Sequence, residues 1–305
     1  MHSIRLFVLL LFVFRVSSAP LGFTEQVYED QQRVIPSVSI EELEYWGRYA
    51  GAAYDNFEDW ETCASCQITK DLGLTRLNTT WSTALPAFSR GFIGINHKRR
   101  QIIVSFRGTT HVMDVLADAH VEQAQWPPVK NESYVHLGFL MAYMSARQTV
   151  QTAVQALVLD MPGYSLTFVG HSLGAAQAVL ALVDYCQQAE CNNVGLVTFG
   201  APRIGNRVFA QYVNLLLREN MLWRVVHDSD IVPHLPQSLL LFPSQYVHSD
   251  REIWVKDNDK KGITVCEPSS EDHAEEDALC SASKHTWQWR IRDHMVYPGI
   301  RLVFI

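Results

Sequence analysis

No Lys/Arg-dense stripe occurs anywhere in the 305 residues. The 25 basic side chains are outnumbered by 32 acidic ones, for a formal net charge of −7. Nothing in such a chain would neutralise a run of phosphates, so a nucleic-acid partner is excluded. The nearest candidate, Lys98-Arg99-Arg100, reads as a solvated turn ahead of a strand. Repeats, low-complexity tracts and Gly/Ser-rich linkers are also missing, so nothing marks an array or a tethered second domain. Beyond the first fourteen residues there is no long apolar run, and stable membrane insertion is not expected. Cys63-x-x-Cys66 lacks a second ligand pair at zinc-site spacing, so no metal is implied, nor any organic cofactor. What is present is apolar material, 48% of the chain, enough for a sizeable core.

The N-terminus follows a secretory pattern. Met1 to Arg5 is short and positive, Leu6 to Phe14 is unbroken and apolar, and Val16-Ser17-Ser18-Ala19 offers small residues for cleavage. Nine apolar residues fall well short of the ~20 needed to span a bilayer. Residues 1–19 are expected to be a signal peptide, and residues 20–305 a single domain. Processing would delete Arg5 and Arg15 but no acid, so 23 basic residues would face 32 acidic ones, a charge near −9. Six cysteines form three local pairs, 63–66, 186–191 and 266–280, and proximity suggests disulfides at Cys63/Cys66, Cys186/Cys191 and Cys266/Cys280. Asn78-Thr79-Thr80 and Asn131-Glu132-Ser133 are glycosylation sequons that matter only in an exported chain. Secretion to the extracellular space is the common reading.

Apolar β-branched runs alternate with helical patterns. Gln101–Phe106, Ser165–Val169, Val194–Phe199 and Leu222–Val226 read as buried strands, and 138–159, 172–186 and 206–218 as helices. That alternation predicts an α/β layered domain with a mainly parallel central sheet flanked by helices. The acidic stretch Pro268–Asp277 reads as an exposed loop between Cys266 and Cys280.

Gly170-His171-Ser172-Leu173-Gly174 lies between a predicted strand and a predicted helix, the context a nucleophile elbow requires. A serine there sits on strained backbone, flanked by glycines that let chains pass closely, with a helix N-terminus facing any oxyanion. One oxyanion donor should be the backbone N–H of Leu173. Serine needs a base, and the base needs an acid that fixes its tautomer. In the Ser–acid–His chain order, Asp228 and Asp230 both follow the last strand, and His234, His248, His273, His285 and His294 are all available as base. His171 is expected to point away from the Ser172 hydroxyl and to pack.

Taken with Phe199-Gly200-Ala201-Pro202-Arg203, Asp230-Ile231-Val232-Pro233 and Asp293-His294, the elbow resembles the fungal class 3 triacylglycerol lipases, from about Ile40 to the C-terminus. The resemblance implies an α/β-hydrolase fold with a Ser–Asp–His triad. It selects Asp230, which directly precedes Ile-Val-Pro-His, and His294, in an Asp-His pair followed by a tyrosine. Asp228 is then a loop carboxylate. Arg107-Gly108-Thr109-Thr110 resembles the family's oxyanion segment and makes Thr109 the second donor. Ala175 stands where many relatives have glycine, a change small enough to keep close helix–strand packing.

After Thr109, Val112, Met113, Val115 and Leu116 can share one face of a short amphipathic helix. In the resembling lipases this segment is the interfacial lid, and its apolar composition favours a lipase over a feruloyl esterase. The sequence therefore predicts a secreted lipase acting on triacylglycerols at an oil–water interface, with no nucleic-acid partner. A phospholipase A1 or a short-chain or feruloyl esterase would share the fold, as would a catalytically silent lipid-binding protein. Oligomeric state and acyl-chain preference are not legible.

Overall fold

The computed structural model describes residues 38–55, 64–84, 88–109, 122–127, 132–237, 246–249, 251–256, 262–266 and 279–302. The predicted signal, the lid residues Val112, Met113, Val115 and Leu116, the sequon residue Asn131, the acidic loop and the Cys63/Cys66 pair lie outside the described residues or side chains. The helices are α1 (Ile40–Ala52), α2 (Ala64–Asp71), α3 (Leu137–Asp160), α4 (Leu173–Gln188), α5 (Arg207–Leu216) and α6 (Ile291–His294).

Eight strands form one sheet: β1 (Leu74–Ser82), β2 (Arg90–Asn96), β3 (Gln101–Phe106), β6 (Ser165–His171), β7 (Val194–Phe199), β8 (Met221–His227), β9 (Glu252–Val255) and β10 (Ile263–Cys266), in that spatial order. From β3 to β9 every pairing is parallel, and antiparallel pairs close both edges. Two short hairpins lie outside it, β4 (Gln123–Gln125) with β5 (Tyr134–His136), and β11 (Val296–Tyr297) with β12 (Ile300–Arg301). The described residues belong to one compact unit spanning Val38–Ile305.

The central strands are apolar on both faces because both faces are covered. Every residue of β7 is buried. One core joins Phe139, Val150, Phe168, Leu180, Leu196 and Phe209, beneath α3, α4 and α5. The other joins Leu43, Trp46, Tyr49, Ile103, Val197, Phe199 and Tyr297, beneath α1. Each βα crossover therefore delivers its loop to the C-terminal ends of the parallel strands, where ligands of such sheets bind.

The predicted elements agree with this architecture within one or two residues at each end, and Lys98–Arg100 is the expected exposed turn. Cys186–Cys191 and Cys266–Cys280 are disulfide-bonded, as proximity suggested. Asn78 is exposed on β1. Among the described residues no helix is long and apolar enough to cross a membrane.

Candidate active site

β6 ends at His171, and the chain turns into α4 through Ser172 at φ 59°, ψ −130°. That backbone region is nearly reserved for glycine, so it survives only where the surroundings hold it. The flanking glycines supply the room. A Cβ at 170 would lie 2.2 Å from the Gly174 carbonyl oxygen, and one at 174 would lie 2.3 Å from that of Phe106. The Ser172 N–H is held by the Phe199 carbonyl at 2.9 Å, while its own carbonyl accepts the first bond of α4 from Ala175. The resulting elbow presents the serine above the sheet and aims the start of α4 at it.

The loop after β3 packs against the elbow. A Cβ on Gly108 would come within 2.9 Å of the Ser172 Cβ, which puts the half-buried Thr109 next in line. Leu173 opens α4, and its N–H belongs to the helix's unsatisfied first turn.

Asp230 follows β8 in a turn closed by its own N–H to the His227 carbonyl at 2.9 Å. It is fully buried, and its oxygens are satisfied three times: by the Val232 N–H at 2.9 Å, by His294 Nδ1–H at 2.8 Å and by the Tyr297 hydroxyl. Burial opposes its charge. The facing His294 and the three donors outweigh that penalty and hold the carboxyl below the usual carboxylate range. Tyr297 moves the opposite way: burial and the adjacent carboxylate push its hydroxyl well above 10, so it stays a donor. Asp293 ties the two segments together, its carboxylate accepting from the Ser229 N–H at 3.3 Å and its carbonyl meeting His227 Nδ1 at 3.0 Å.

The Asp230 contact fixes His294 with a proton on Nδ1 and leaves Nε2 as the acceptor. Buried Nε2 and the buried Ser172 Oγ have no hydrogen-bond partner among the described residues. Two unpartnered polar atoms in one site are costly for stability and mark groups kept for chemistry. Gly200, at φ +55°, lets β7 turn beneath this pair, since a Cβ there would fall 2.8 Å from both Asp230 Oδ2 and His294 Nδ1.

Ser172 and Asp230 thus follow the ends of β6 and β8, His294 closes the short helix α6, and Gly108–Thr109 follow the end of β3. Asp228 lies outside the cluster, in an ion pair with Lys284 at 3.3 Å. His234 stacks on Trp289, and His285 caps a single turn at Thr286–Gln288. His248 donates from Nε2–H to the Pro233 carbonyl, 2.6 Å away. His273 lies outside the described residues. The expectation that His171 merely packs is incomplete: it hydrogen-bonds at both ring nitrogens, to Tyr54 and to the His294 carbonyl. Tyr54 and Tyr297 were missed as site residues, although the tyrosine three places after His294 was a usable signal. Among the described residues, Glu252, Cys266 and Cys280 form a metal-like cluster, but both cysteines are consumed by their disulfide.

Comparison with known proteins points one way. The family model "Lipase (class 3)" matches residues 103–239. A Rhizomucor miehei lipase is 32% identical over 279 residues, covering 88% of this chain and 71% of that protein. Secreted mono- and diacylglycerol lipase A of Penicillium camembertii is 28% identical, covering 74% of this chain and 73% of its own. Among solved structures, Rhizomucor miehei triacylglyceride lipase superimposes with a TM-score of 0.75 at 29% identity, covering 86% of this chain and 95% of that one. A triacylglycerol lipase whose catalytic centre is formed by a serine protease triad gives the same TM-score and coverage at 30% identity.

Proposed function

The chain belongs to the fungal class 3 lipase family, a family of α/β-hydrolases, and we propose that it is a secreted triacylglycerol lipase with Ser172, His294 and Asp230 as its triad. The observation that carries this reading is the buried Asp230–His294 pair, which leaves Nε2 without a partner in the same cluster that leaves the Ser172 hydroxyl without one.

In the proposed reaction, Ser172 Oγ attacks the ester carbonyl as His294 Nε2 takes its proton. Asp230 holds Nδ1–H and stabilises the imidazolium that forms. The carbonyl oxygen becomes an oxyanion and is received by the N–H groups of Thr109 and Leu173, with the Thr109 hydroxyl beside them. Collapse expels the alcohol, which collects its proton from His294. Water, deprotonated by the same Nε2, then frees the acyl group and restores Ser172. No step needs a metal or an organic cofactor.

Export is supported by the N-terminal pattern, by two disulfides and by secreted relatives. We read residues 20–305 as one domain and Asn78 as a glycosylation site. The lid assignment of residues 112–116 rests on composition and resemblance. A second reading, preference for mono- and diacylglycerols, is favoured by the Penicillium relatives.

The test is hydrolysis of a panel running from dissolved p-nitrophenyl butyrate through emulsified mono-, di- and triolein to phosphatidylcholine. Emulsified triolein should be cleaved fastest per enzyme, with activity rising sharply as an interface forms. Ser172→Ala should lose turnover by a factor of at least ~10⁴ with an unchanged melting temperature. Near wild-type activity in that variant would end the assignment. Faster cleavage of phosphatidylcholine or of dissolved esters would replace triacylglycerol as the substrate.

A further inference from the structure

His171 stands beside the nucleophile, fully buried, and the proposed reaction makes no use of it. Its Nε2 lies 2.9 Å from the backbone carbonyl of His294. A carbonyl only accepts, so Nε2 must carry the proton. The ring's surroundings keep it neutral: burial, and then the neighbouring His294, push its pKa down to about 3. A neutral ring protonated at Nε2 has a bare Nδ1, which must accept, and the group 2.7 Å away is the Tyr54 hydroxyl. Tyr54 Oη therefore donates to His171, and it accepts in turn from the Gly108 N–H. Every proton along this path has one possible place.

We propose that Tyr54 and His171 are positioning residues, a hydrogen-bonded chain from Gly108 N–H through Tyr54 and His171 to the His294 carbonyl that sets base and oxyanion loop at working distance. Its two ends are the groups that must stay in register. Gly108 directly precedes Thr109, and His294 is the base. The His171 ring also stacks on the His294 ring, with centroids 4.5 Å apart and planes 30° from parallel. A neutral ring there supports the imidazole without opposing the charge it acquires, whereas a second cation would repel it. Tyr54 is seated by its own surroundings, with the Arg107 guanidinium 5.5 Å from its ring. Geometry matters here because small displacements of a reacting pair cost large factors in rate.

This inference rests on the triad reading above, so the experiment separates the two. Tyr54→Phe removes one oxygen and little packing, His171→Phe keeps an aromatic ring over His294 but neither hydrogen bond, and the double variant joins them. Emulsified-ester kinetics on each should show kcat lowered about tenfold for Tyr54→Phe and more for His171→Phe, with KM within twofold. Because both act through one chain, the double variant should lose no more than His171→Phe alone. Proton NMR should show the Asp230–His294 low-field N–H resonance moved or broadened in Tyr54→Phe, with melting temperature within a few degrees of the parent. Unchanged kcat in Tyr54→Phe, losses that multiply in the double variant, or an effect confined to KM would each overturn the chain. A parent enzyme that cleaves no ester would instead overturn the lipase reading, and the resonance shift would still judge the chain.

Discussion

Gly200 is the residue at which backbone freedom meets the proposed catalytic pair most directly. Its φ of +55° and its contact with both Asp230 and His294 leave no space for a methyl group. Gly200→Ala should therefore move the carboxylate–imidazole pair before it unfolds anything. We expect kcat on emulsified triolein to fall by two orders of magnitude or more, while the melting temperature falls by only a few degrees. Steady-state kinetics beside a thermal melt reads both quantities, and a variant with full activity would mean that the pair tolerates displacement. Most of this site was legible residue by residue, because a strand–Gly-x-Ser-x-Gly–helix sequence has a steric meaning visible without coordinates. The choice between Asp228 and Asp230 was not: both follow β8, and resemblance to a family made the selection. Tyr54 was invisible for a different reason. Its hydrogen bond spans 117 positions, and only the folded topology brings α1's end to the elbow.

At the scale of elements, helix starts do more than begin helices. Asn206 caps α5 by accepting from the Phe209 N–H at 3.0 Å, and it also accepts from the Tyr134 N–H and donates to the Glu132 carbonyl. One side chain thus joins α5 to β5. Asn206→Ala should destabilise the protein by about 1–2 kcal/mol, since a cap and two tertiary bonds go together. Urea unfolding checks this, and a loss under ~0.5 kcal/mol would show that water replaces the amide. The central strands could be read from sequence because burial on both faces leaves unbroken apolar runs, as in β3 and β7. The outer strands β1 and β9 could not. β1 exposes Asn78, Thr80 and Ser82 on the sheet's edge, and β9 hides Glu252 inside the sheet, paired with Arg224 at 3.0 Å. A buried ion pair spoils the hydropathy signal without spoiling the strand.

For the whole molecule, two buried histidines couple folding to pH. His136 caps α3 through Nδ1, which accepts from the Gly138 and Phe139 N–H groups and so must be unprotonated; burial lowers its pKa to about 4. His171 is held near 3. In the unfolded chain both return to about 6.5. Between those limits the unfolded state binds more protons, so their stabilising contribution is complete above pH 6.5 and is lost as pH falls toward 4 and 3. Calorimetric unfolding at pH 5 in buffers of different ionisation enthalpy should register uptake of about two protons from this pair. His136→Gln should remove about one of them, and no difference between the two proteins would contradict the neutral cap.

The central claim is that one serine becomes covalently acylated with one histidine as its base. A lipophilic p-nitrophenyl alkylphosphonate mimics the ester and stops at the first covalent stage. Peptide mapping by mass spectrometry after exposure should find a single adduct, on Ser172, formed much more slowly in His294→Ala. An active enzyme that forms no adduct there, or forms it equally fast without His294, would contradict the account.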